Sequence, residues 1–245
     1  MPNAYFQFQQ FKIDQAKSGM KVTTDACLFG AWVASEISRQ DDPNRILDIG
    51  TGTGLLSLML AQRTKHSIID AVEINELAFE EAQSNFKQSD WKERLNVYQS
   101  AIQNFVSDHK YDIIISNPPF FAQSQKGLSE SKNQALHASD LLAEELLISI
   151  GKFLTENGSF YLLFPEREMD QFIELAETGK LYLRKLVTVR NKEGQNVFRK
   201  MATFTFRNEK TAFEEKIIRR PDGKYTDGFW SLLKSYYLDY NNPSL

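Results

Sequence analysis

Asp48, Gly50, Gly52 and Gly54 fall within LDIGTGTGLL (47–56), where one apolar run gives way to another. Glycines at this spacing permit backbone angles closed to other residues and let a ligand approach the main chain. A dinucleotide fingerprint requires G-x-G-x-x-G, but counting from Gly50 puts Leu55 at the third glycine position. A P-loop requires a following Gly-Lys-Ser/Thr, which is missing. Glu73 lies 19 residues beyond Gly54, at the end of the next apolar run. A carboxylate so placed can accept hydrogen bonds from both hydroxyls of a ribose. Alone, the glycine loop can be a tight structural turn; Glu73 behind it favours a ligand. A second stretch, Asn117-Pro118-Pro119-Phe120 within SNPPFF (116–121), ends the apolar run YDIIIS (111–116). Adjacent prolines donate no backbone hydrogen bonds and stop any strand or helix. Bare, such a corner is also a plain strand terminator followed by a core phenylalanine.

These residues need elements to hold them. Short apolar runs alternate with amphipathic stretches through the middle of the chain, the pattern of stacked β-α units. Strands are expected at 45–50, 67–74, 94–100, 111–116 and 158–164, and helices at 55–63, 76–89, 140–154 and 168–179. Strands 181–189 and 201–206 would form a closing hairpin around Gly194, and Asp140 would cap the helix it begins. The expected fold class is α/β: a Rossmann-like, mostly parallel, doubly wound sheet of seven strands with an antiparallel final hairpin. Ligands then bind outside the carboxyl ends of the strands. One domain over 1–245 is expected, with an N-terminal extension (1–41), a core (42–207) and a basic, aromatic C-terminal extension (208–245). The polar stretch 122–134 reads as a mobile loop beside the proline corner.

The hhDhGxGxG form of the loop resembles the first motif of S-adenosylmethionine (SAM)-dependent methyltransferases, making SAM the expected cofactor. Asp48, Gly50, Gly52, Gly54, Glu73 and Asn117 are its expected neighbours. The corner resembles the Asn-Pro-Pro-Tyr/Phe signature of enzymes that methylate planar amino or amide nitrogens. An exocyclic amine is a poor nucleophile because its lone pair is delocalised into the ring. Two acceptors can hold its N–H groups and favour a pyramidal nitrogen; Asn117 supplies one and the Pro118 carbonyl the other. The prolines fix that carbonyl's direction, and Phe120 can stack on the base. Asn117, Pro118 and Phe120 are thus the expected catalytic residues, with Pro119 and Phe121 against the substrate.

Over FQFQQFKIDQ near the start, then 20–32, 46–64, 111–121 and 217–239, the chain is similar to the tRNA1(Val) adenine-N6-methyltransferase family. Members use SAM to methylate the adenine immediately 3′ of the anticodon. The resemblance implies a cofactor-covering segment over 1–41, with Lys21, Thr24 and Asp25 lining the pocket. Read residue by residue, KVTTDA is equally a helix cap leading into ACLFGAW. Ser100 and Ala101 depart from the family, which carries an acid there toward the cofactor adenine; Gln103 or a backbone group would have to serve. The hairpin 191–200 also departs, which bears on the choice of tRNA more than on the reaction. Rival activities sharing the corner are DNA adenine-N6, rRNA guanine-N2 and protein glutamine-N5 methylation. An RNA-binding module on a methyltransferase fold is the non-enzyme alternative, against which the intact loop, Glu73 and Asn117 argue.

A net charge of −3 argues against indiscriminate coating of nucleic acid. Two basic clusters, containing Arg190 and Lys192 and then Arg219 and Arg220, are the expected phosphate contacts to tRNA, although such clusters are commonly just solvated faces. Cys27 is alone, and His66, His109 and His137 share no metal-like spacing, so neither a disulfide nor a metal site is expected. No apolar run approaches the roughly 20 residues of a membrane span, and the first residues lack a secretory pattern. A cytoplasmic monomer is expected. Tyr236 and Tyr237 are expected to pack in the core rather than touch RNA.

Overall fold

The computed structural model describes residues 3–19, 21–38, 42–118 and 143–238. Its centre is β3 (Arg45–Ile49), flanked by β4 (Ile68–Glu73) and β6 (Tyr111–Ser116). These strands are buried on both faces, so they read as unbroken apolar runs rather than alternating ones. Beyond β4 lies β5 (Leu95–Gln99), and beyond β6 lies β7 (Leu154–Phe164); all five strands run parallel. The crossovers are α2 (Leu55–Arg63), α3 (Glu76–Gln88) and α4, helical over 143–153, while α5 (Glu166–Thr178) follows β7. Because β3 has a later strand on each side, a crevice opens at its carboxyl end, where the order reverses.

The closing hairpin, β8 (Tyr182–Lys192) and β9 (Val197–Thr205), is longer than expected, with β9 antiparallel to both β7 and β8. The sheet also has an eighth strand, one more than expected. β10 (Ala212–Arg219) pairs parallel with β8, giving the order β10-β8-β9-β7-β6-β3-β4-β5. Its run of charges hides it from hydropathy. Those charges are satisfied across the strands, with Lys185 on Glu214 at 3.1 Å and Arg190 on Glu215 at 2.7 Å.

Both flanks pack on this sheet. A hairpin of β1 (Tyr5–Gln7) and β2 (Lys12–Asp14) leads to α1 (Thr24–Ile37), and α6 (Asp227–Leu233) follows β10. Thr23 caps α1, its hydroxyl accepting from the Ala26 N–H. Phe8, Phe11 and Ile13 share one hydrophobic cluster with α1, α2, Tyr236 and Tyr237. The two tyrosines are buried, as expected. The flanks also clasp one another. The Gln9 N–H donates to the Tyr236 carbonyl at 2.8 Å, and its side-chain amide donates to the carbonyls of Lys234 at 3.0 Å and Tyr237 at 2.5 Å.

Gly54 opens α2 at φ 85°, and a Cβ there would stand 2.5 Å from the buried ring of Phe86. Gly54→Ala is therefore expected to cost about 2–3 kcal/mol, from the left-handed backbone and the overpacked ring together. Urea unfolding checks this: the midpoint falls with an unchanged slope, and a wild-type midpoint would refute it.

Candidate active site

The turn after β3 is wound around one buried acid. Asp48 Oδ2 accepts from the Thr51 hydroxyl at 2.6 Å and the Ser57 hydroxyl at 2.7 Å, while Oδ1 is buried and meets no donor among the described residues. Burial pushes the Asp48 carboxyl up to about 6; the two hydroxyls oppose the rise and the charge of Glu73 adds to it. The turn is anchored across the sheet by the N–H groups of Gly50 and Thr51, both donating to the Val72 carbonyl.

Glu73, at the carboxyl end of β4, faces this turn. Its Oε2 accepts from the Gly52 N–H and its Oε1 from the Asn75 N–H, each at 2.8 Å. A left-handed Gly52, at φ 57°, points that N–H at the acid. Each carboxylate oxygen keeps a further lone pair for a ligand hydroxyl.

Gly50, Gly52, Glu73 and Pro118 line a cavity of about 600 Å³, within the range of small-molecule sites. Ser100, Ala101, Ile102 and Gln103 form the wall beyond β5, so the stretch that departs from the expected acid does border the cavity. Ser18 and Gly19 close it from the N-terminal side and Leu146 from α4. None of these last three residues was anticipated; nothing in their types distinguishes them.

The proline corner is tied to the glycine turn. Ser116, the last residue of β6, donates its hydroxyl to the Ile49 carbonyl at 2.8 Å, and it lines the cavity with Pro118. Asn117 follows directly. Its Oδ1 is shut off from solvent and meets no donor among the described residues. Leaving such a carbonyl unpaired costs about 1–3 kcal/mol. Pro119, Phe120, Phe121, the stretch 122–134 and Asp140 lie outside the described residues.

Lys21, Thr24 and Asp25 lie outside this lining, as do Asp48, Gly54 and Asn117. Lys21 donates to the Gln15 carbonyl, Thr24 begins α1, and Asp25 accepts from Arg199 Nε at 2.8 Å. The polar groups of Lys21 and Asp25 go to holding the N-terminal segment and the β8–β9 hairpin in place. Arg190, Lys192 and Arg219 stand toward the carboxyl end of the parallel strands: pairing sets Phe164 opposite Lys200, Arg190 opposite Val197 and Arg219 opposite Lys192. They are partly engaged. Arg190 meets Glu215 at 2.7 Å, Arg219 lies 4.5 Å over the Tyr225 ring, and Arg220 is 3.6 Å from Asp227. Among the described residues no acid, cysteine or histidine cluster could hold a metal ion, and no helix is long and apolar enough to cross a membrane.

A mostly parallel sheet with a glycine turn, a ribose-ready acid and a proline corner at neighbouring strand ends defines a methyltransferase of the Rossmann-like class. The Methyltransferase small domain family matches residues 31–170. Solved structures share the fold: a predicted O-methyltransferase from Agrobacterium tumefaciens has a TM-score of 0.64 at 16% identity, over 86% of this chain and 96% of that one. The human methyltransferase 10 domain containing protein has a TM-score of 0.59 at 15% identity, over 77% of this chain and 85% of that one. Among curated relatives, the tRNA1(Val) (adenine(37)-N6)-methyltransferase of Dyadobacter fermentans is 42% identical over 97% of this chain and 99% of its own length. That of Yersinia enterocolitica is 35% identical over 96% and 93%. The chain belongs to the tRNA1(Val) (adenine(37)-N6)-methyltransferase family.

Asp48 also sets a pH dependence. Its folded-state value, about 6, lies above the ordinary 3.8, so the folded protein keeps a proton between these values that the unfolded chain has lost. This stabilisation is complete below about 4 and gone above about 6. The substitution Asp48→Asn removes the titrating group yet keeps an oxygen that accepts from both hydroxyls. The variant's stability relative to wild type is expected to improve by about 1 kcal/mol between pH 5 and pH 7. Urea unfolding at the two pH values checks this, and a constant difference would refute it.

Proposed function

We propose that the chain methylates N6 of the adenine beside the anticodon of a valine tRNA, with SAM as methyl donor. The observation that carries this reading is the Ser116–Ile49 hydrogen bond, which ties the end of β6 to the end of β3, so that Ser116 and Pro118 line one cavity with Gly50, Gly52 and Glu73. Names of relatives covering nearly all of the chain support the substrate.

The residues present fit SAM. The cavity is large enough, and Glu73 on its lining keeps lone pairs for ribose hydroxyls, while Asp48 Oδ1, buried behind the glycine turn, meets no donor among the described residues. Gly50, Gly52 and Gly54 keep the amino-acid end close to the main chain, and Ser100 to Gln103 face the adenine. Bound there, SAM supplies an electrophilic methyl group on a sulfonium. The chain's own work is to position the acceptor amine. Asn117 Oδ1 and the Pro118 carbonyl each accept one N–H of that amine, turning its lone pair away from the base plane. No strong base is needed, because the nitrogen becomes acidic as it is alkylated and sheds a proton to solvent. Phe120 stacks on the extruded base, with Pro119 and Phe121 shaping its slot; an anticodon-loop base costs little to extrude. Arg190, Lys192, Arg219 and Arg220 contact backbone phosphates. The chain acts as one domain, its flanks serving the same site, and as a monomer in the cytoplasm.

Incubation with labelled SAM and unmodified total tRNA, followed by nucleoside analysis, tests the reading. Label in N6-methyladenosine is expected. Label in a methylated guanine or only in protein would overturn the substrate, and no transfer at all would overturn the reaction.

A further inference from the structure

Helix α3 carries two polar residues that a helix buried against a sheet would ordinarily replace with apolar ones. Glu81 is 5% exposed and Asn85 only 2%. Both reach the N-terminal segment. Glu81 accepts from the Lys17 N–H at 2.5 Å and the Ser18 N–H at 2.7 Å. Asn85, one turn later, accepts from the Asp14 N–H at 2.9 Å and donates to the Asp14 carbonyl at 3.0 Å. Its amide also donates to the Thr53 carbonyl at 2.9 Å, inside the glycine turn. Gln15 then folds the segment on itself, accepting from the Val22 N–H at 2.7 Å through its side chain and from Lys21 through its carbonyl. The outcome is a short strap whose far part, Ser18 and Gly19, lines the cavity.

We infer that Glu81 and Asn85 are positioning residues for the cofactor: together they hold residues 14–19 as one wall of the pocket. Asn85 bonds to both the strap and the glycine turn, and so sets the gap between them. This rests on reading the cavity as the SAM site. Neither residue lines the cavity, so their effect on SAM passes through the strap and the turn. Buried polar groups of this kind stabilise one arrangement only when every partner is in place.

The test is calorimetric titration of SAM into the full chain carrying Asn85→Asp, Glu81→Gln or, as a control on the outer face of α3, Ser84→Ala. Asn85→Asp keeps the size and the acceptor but turns a carboxylate oxygen toward two carbonyl oxygens. Its Kd for SAM is expected to rise about tenfold. Glu81→Gln keeps a single acceptor oxygen and should give a smaller rise, about threefold. Ser84→Ala should match wild type. The KM for SAM should rise while the KM for RNA stays put, a split that general loosening of the fold would not produce. In amide exchange, SAM should slow residues 14–19 of wild type and slow them less in the variants. A wild-type chain that takes up no SAM would overturn both the cavity reading and the inference. Wild-type uptake with undiminished affinity in the variants would overturn the inference alone. Should Asn85→Asp fail to fold, Glu81→Gln decides by the same criteria.

Discussion

Asn117→Ala lowers turnover at least about tenfold while changing SAM affinity little. The alanine removes a carbonyl oxygen that is buried and meets no donor among the described residues. It leaves the Ser116–Ile49 bond and the Pro118 wall in place, so the corner keeps its shape and loses one acceptor. The chemistry predicts a loss in kcat, because the acceptor matters most as the amine leaves the plane of the base. Asn117→Asp retains an oxygen at the same reach and should recover part of the rate. Single-turnover kinetics with saturating SAM and tRNA measures the step directly. A rate equal to wild type in Asn117→Ala would remove the residue from the mechanism.

Glu73→Gln should weaken SAM binding roughly a hundredfold. Two hydroxyl bonds to a carboxylate are each worth about 1.5–3 kcal/mol, and the amide offers only one acceptor oxygen. There is a second cost. Glu73 holds the N–H groups of Gly52 and Asn75 on its two oxygens, so the amide nitrogen of glutamine must face one of those donors. The glycine turn then loses the contact that sets its distance from β4. Calorimetry with SAM and with its demethylated product reads the effect, and the two should weaken alike because the ribose is common to both. Unaltered affinity would show that the ribose lies elsewhere.

The glycine turn, Glu73 and the proline corner could be read from sequence because each residue type is tied to its job locally. Left-handed backbone angles call for glycine, an acid at a strand end can hold the N–H groups of the turn beside it, and proline stops a strand. β10 could not be read so. Its glutamates look like solvent-facing charges until Lys185 and Arg190 of β8 are beside them. Glu81 and Asn85 posed the same difficulty: within ELAFEEAQSNFKQS they read as ordinary polar positions of an amphipathic helix. Their partners, Asp14 to Ser18 and Thr53, are distant in sequence and known only once the chain has folded. The partners of Lys21 and Asp25 were equally out of reach of the sequence. Both types suit a cofactor pocket, and their bonds to Gln15 and Arg199 appear only once the chain has folded.

The clasp between Gln9 and residues 234–237 has a bearing on how the chain is made. Its side-chain bonds span 225 and 228 residues of sequence, so the N-terminal hairpin waits for a segment made long after it. Such non-local closures come late in folding. The five parallel strands precede residues 234–237 in the sequence, whereas the N-terminal hairpin gains its partner only once those residues are made. Since the strap at 14–19 grows directly from that hairpin, a nascent chain lacks a settled cofactor wall until its C-terminal part arrives. On the reading of the strap as a cofactor wall, full SAM affinity is expected only once residues 234–237 are in place.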